Sequence, residues 1–87
     1  MHHILFYEYA KDILERRAPH REAHLRRIHE HPSIVMAGAL GDPPHGAAIV
    51  FREAAIEEIE AWADADPYVK AGLVRARRVD VFGVVRG

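Results

Sequence analysis

Seven histidines, no cysteine and a scatter of carboxylates set the chemistry open to this 87-residue chain. His20 and His24 stand four apart in HREAH, a spacing that places both on one face of a helix. An imidazole with its ordinary pKa near about 6.5 gives or takes a proton at neutral pH. The same spacing permits two-point metal binding, with Asp42 or His45 as a third ligand. HREAH nevertheless lacks the glutamate directly after its first histidine that marks a zinc protease, and no metal is expected. A second group lies in DADPYVKAGLV, residues 64 to 74. There Asp66 suits the N-cap of a short helical turn, Pro67 its first position and Gly72 its C-terminal stop, which leaves Tyr68 beside the cap as a packed aromatic or a ligand contact. RARR adds Arg75, Arg77 and Arg78, either as a solvated run or as an attraction for an anionic compound. His29 and His31 flank a helix end, where a cation complements the dipole, and His2 and His3 open a strand. No serine elbow, glycine-rich phosphate loop or dinucleotide fingerprint is present, so no cofactor is expected and neither hydride nor phosphoryl transfer is indicated.

The segments that must position these residues read as four strands and two helices. HHILFYEY (2 to 9) is aromatic and aliphatic, as strands are. AKDILERR (10 to 17) is ambiguous between a helical turn and a loop. Pro19 suits a helix start, Leu25 and Ile28 share a stripe, and Pro32 stops the helix after about His31. SIVMAGAL (33 to 40) and GAAIVFR (46 to 52) flank the turn-rich GDPPH and form a hairpin. Ala55, Ile56, Ile59, Trp62 and Ala63 recur at helical spacing, and RRVDVFGVVR (77 to 86) closes the chain as a strand. The order βαββαβ predicts an α+β, ferredoxin-like sandwich over residues 1 to 87 taken as one domain: an antiparallel four-stranded sheet with both helices on one face.

Both alternate sets of the first strand are largely apolar: His3, Leu5, Tyr7 and Tyr9 against His2, Ile4, Phe6 and Glu8. In the last strand Val79, Val81 and Val85 oppose Phe82 and Val84. A sheet apolar on both faces but covered by helices on one must bury the other elsewhere, which predicts a homodimer packed sheet to sheet, with Val81 as a candidate interface residue. Twelve basic and 13 acidic residues give no electrostatic reason for binding nucleic acid or an anionic membrane. With no cysteine, no apolar stretch long enough to span a bilayer and no signal-like start, a cytoplasmic location is expected.

Right-handed crossovers bring the start of the first helix, the 41 to 45 turn and the segment after the second helix to one rim of the sheet, so three distant polar pieces converge. REAHL, VMAGALGD and DADPYVKAGLV together resemble the signatures of the YciI-like (YCII-related) family within the dimeric α+β barrel superfamily, over nearly the whole chain. The resemblance implies a ferredoxin-like dimer and a cleft holding a histidine and an aspartate, which fall on His24 and Asp42, with the preceding arginine at Arg21. The loop GDPPHG, with two prolines and His45, departs from the simpler connection usual in the family. On this reading His24 and Asp42 form an acid/base pair, and Arg21, His45, Asp66 and Tyr68 line the substrate site. The function expected is a cofactor-independent isomerisation, elimination or hydrolysis of a small polar or aromatic compound; the alternative is a non-catalytic metabolite-binding or accessory domain.

Overall fold

In the computed structural model, which describes residues 1–87, the chain runs β1 (His2–Tyr9), α1 (Ile13–Arg16), α2 (Ala18–Glu30), β2 (Ile34–Leu40), β3 (Gly46–Arg52), α3 (Ile56–Asp64), α4 (Pro67–Lys70) and β4 (Val74–Phe82). The four strands form one antiparallel sheet in the order β2-β3-β1-β4. This is the predicted ferredoxin-like α+β architecture. The ambiguous 10 to 17 segment becomes the one-turn helix α1, because Ile13 finds a place in the core. No helix is long and apolar enough to cross a membrane.

Alternation along β1 decides which face is covered. Leu5, Tyr7 and Tyr9 are buried and pair with Ile49, Ala47, Val79, Arg77 and Val74 on the neighbouring strands. Against this face pack Ile13, Ile59, Trp62, Ala63, Tyr68 and Leu73, with the Trp62 ring edge-on to Phe51 at 5.8 Å between centroids. Arg27 closes the top of this layer: its guanidinium lies 4.7 Å from the Trp62 ring centroid and donates to the Trp62 carbonyl at 2.9 Å.

Two sequence expectations are corrected. The last strand spans Val74–Phe82 rather than 77 to 86, because an edge strand can carry Arg75 and Arg78 toward solvent, and regular pairing ends before Gly83. Val81 pairs with His3 of the inward set, so it lies on the helix side and not on the outer face, although it is exposed beyond the end of the helical layer. The outer face instead carries Ile4, Phe6, Met36, Val50 and Phe82.

Candidate active site

Asp66 stands at the point where α3 gives way to α4. Its extended backbone (φ −66°, ψ 127°) lets Oδ1 accept the Tyr68 N–H at 3.0 Å, so it caps α4, with Pro67 in the first turn. Gly72, at φ +74°, takes the left-handed conformation that ends this turn and returns the chain to β4. The cap does more than start a helix. Asp66 is fully buried, and burying a carboxylate costs several kcal/mol unless its oxygens are satisfied. Tyr7 Oη donates to Oδ2 at 2.8 Å, and His24 Nδ1 lies 2.8 Å from Oδ1 and 3.0 Å from Oδ2. One carboxylate thus joins β1, α2 and α4.

This geometry assigns the histidine tautomer. A carboxylate that already accepts two other hydrogen bonds can only accept from the ring, so Nδ1 carries the proton and donates it to Asp66. In the neutral imidazole Nε2 is then a free lone pair, and no protein group bonds it. His24 is 4% exposed and stacks on Tyr68, with centroids 3.7 Å apart and ring planes 7° from parallel, which fixes the direction in which Nε2 points. Burial, then the Asp66 charge and the hydrogen bond to it, push the Tyr7 hydroxyl far above its ordinary pKa and keep it a donor. Tyr9 is pushed up to about 12, chiefly by burial.

His24 and Tyr68 border a cavity of about 190 Å³ between α2 and the β2-β3 edge of the sheet. The space exists because the inward positions of β2 beside it are small: Ala37 and Ala39 pair with Ile49 and Ala47. Leu25 and Ile28 roof it, Tyr9 forms part of the floor, and Arg17, Arg21 and His29 stand at its border. Such a lining can hold a small ring, with a proton acceptor at one wall and cations at the mouth.

Of the sequence-derived candidates, the fold brings His24, Asp66, Tyr68 and Arg21 together. The pairing of His24 with Asp42 is corrected: the imidazole is bonded to Asp66, and Asp42 is an exposed residue of the β2-β3 turn. His45 is also outside this cavity. Its ring packs over Gly41, its backbone ties the turn to Tyr9 and Leu40, and it borders a separate groove with Phe6 and Arg78. Both residues sit on the hairpin tip, where the His45 carbonyl accepts the Tyr9 N–H at the end of β1. The His20 and His24 pair gathers no third histidine, aspartate or glutamate in a metal-binding cluster. Tyr7 and Arg17 were missed by the sequence reading. The available signal for Tyr7 was a phenol on the inward face of a strand, which needs a buried acceptor.

A family model described as the YCII-related domain matches residues 1–83. The chain is 33% identical over 85 residues to protein YciI of Escherichia coli, covering 84% of this chain and 87% of that protein. In structure it resembles the 5-chloro-2-hydroxyhydroquinone dehydrochlorinase TftG from Burkholderia phenoliruptrix, solved with 2,5-dihydroxybenzoquinone, at a TM-score of 0.81 and 21% identity over 94% of this chain and 93% of that one. A transcriptional regulator from Neisseria meningitidis in complex with L-Met matches at a TM-score of 0.57 and 11% identity, over 99% of this chain and 52% of the other.

Proposed function

This chain belongs to the YCII-related family, and we propose that it is a small cofactor-independent enzyme in which His24 moves a proton to or from a small polar or aromatic compound held in the α2-β2 cavity. The observation that carries this reading is the buried chain from Tyr7 through Asp66 to His24, whose ring borders the cavity and whose Nε2 has no protein partner. Asp66 holds the tautomer and stabilises the imidazolium that forms when Nε2 takes a proton. Asp42 has no part in this reading. In an elimination, Nε2 removes a proton from the ring compound, the released electron pair forms the new double bond, and the leaving group departs with its own pair. In an isomerisation the same proton returns at another carbon. Elimination is supported by the shared fold of TftG, whose name describes a dehydrochlorinase and whose ligand is a dihydroxylated ring. A sheet-to-sheet homodimer and a cytoplasmic setting complete the proposal, the first on the apolar outer face and the second on the absence of cysteine.

The competing reading is a metabolite-binding module, favoured by the Neisseria regulator that uses this fold with a bound amino acid. Chloride release from a panel of chlorinated hydroquinones, followed beside ligand binding, separates the two. Turnover that falls by about 100- to 10,000-fold in His24→Asn, with the far-ultraviolet spectrum unchanged, is the outcome expected. Tight binding of panel members with no turnover of any of them would leave the binding module as the function.

A further inference from the structure

The arginines of the helical layer divide into two groups. Arg16 pairs with Asp12 and donates to the Ala71 carbonyl at 2.8 Å, Arg26 pairs with Glu22, and Arg27 is spent on Trp62. Arg17 and Arg21, one turn apart at the start of α2, form no ion pair with any carboxylate, and both border the cavity next to His24. Asp66, the carboxylate bonded to His24, has both oxygens occupied. Among the side chains that border the cavity none is acidic, while two are guanidinium ions and two are imidazoles. Burial raises the Tyr68 hydroxyl above its ordinary pKa, and the nearby charges of Arg17 and Arg21 partly oppose that rise. Two cations left unpaired over a small apolar slot repel each other until an anion enters.

We propose that this cavity selects small planar acids, whose carboxylate or ring oxyanion is clamped by Arg17 and Arg21 while the ring lies in the slot between Tyr68 and the small residues of β2. The clamp places the ring in the cavity with its edge toward Nε2 of His24, so it deepens the acid/base reading and rests on it for the identity of the site. A guanidinium fork suits a planar oxyanion because it offers parallel N–H donors in one plane. The aliphatic roof of Leu25 and Ile28 and the aromatic floor of Tyr9 supply the apolar contact that a ring compound needs and a simple inorganic anion cannot use.

The test titrates the whole chain with benzoate, salicylate and furan-2-carboxylate beside their neutral amides, following the His24 and Tyr68 ring resonances by NMR in neutral buffer of low ionic strength. At least one acid should give saturable shifts at both rings, with its amide about tenfold weaker or more. Arg21→Gln and Arg17→Gln should each weaken that acid by about fivefold or more and leave the binding of its amide unchanged. The proposal is overturned if no acid saturates below about 10 mM, if acid and amide bind alike, or if neither substitution changes acid binding. Its failure is distinct from that of the enzymatic reading. Acids that bind while wild type turns over no member of the chlorinated hydroquinone panel remove proton transfer and keep the clamp; turnover of neutral ring compounds with no preference for acids removes the clamp and keeps proton transfer.

Discussion

Asp66 is the residue on which the site turns, because it is at once a helix cap, the acceptor for Tyr7 and the partner of His24. Removing a cap alone costs about 0.5 to 2 kcal/mol. Asp66→Ala would also leave the Tyr7 hydroxyl and the His24 Nδ1–H without acceptors in a buried place, and each orphaned donor costs about 1 to 3 kcal/mol. Chemical denaturation should therefore show a loss of at least about 2.5 kcal/mol for Asp66→Ala. Asp42→Ala, at an exposed turn, should stay within about 0.5 kcal/mol of wild type. The cap was legible in the sequence, since Asp-Pro followed by a later glycine has a local meaning. The bond to His24 was not, because it joins residues 42 positions apart and depends on how α2 and α4 dock. Family resemblance directed the carboxylate role to Asp42, and only the packing of α4 under α2 redirects it.

At the scale of elements, the cavity is a property of β2 more than of α2. A helix as polar as α2 buries only His24 fully and approaches the sheet loosely, and the alanines of β2 leave the gap unfilled. Placing a larger apolar side chain at the inward position of β2 should close the site without harming the fold. Ala39→Leu is expected to change stability by less than about 1 kcal/mol, since the added methyl groups enter open space. The same change should abolish ligand-induced shifts at His24. Retained binding in Ala39→Leu would place the ligand elsewhere. The alternation of β1 and the stripe of α3 were readable because each buries a continuous face. The start of β4 was not: the sequence pattern begins the strand at Arg77, and only the pairing with β1 shows that it starts at Val74.

For the whole molecule, the outer face of the sheet is the feature that a single chain leaves unexplained. Met36 is 70% exposed and Phe82 40%, and with Ile4, Phe6 and Val50 they make an apolar surface opposite the helices. A chain of 87 residues has a small core, so covering this face with its own copy both removes apolar area from water and adds stability that one core cannot supply. The two-sided pattern of β1 announced such a face, but assigning Val81 to it required the register, which puts Val81 opposite the inward His3. Met36→Glu is the sharper probe. The side chain makes little contact within its own chain, so the substitution should leave the fold of each subunit intact, yet in a sheet-to-sheet dimer it would bury an unpaired charge. Sedimentation should show wild type as a dimer at low micromolar concentration and Met36→Glu dissociating at least about 100-fold more readily. Two results count against the sheet-to-sheet interface: a wild-type monomer at that concentration, or a Met36→Glu dimer as tight as wild type, which would place the contact on another surface.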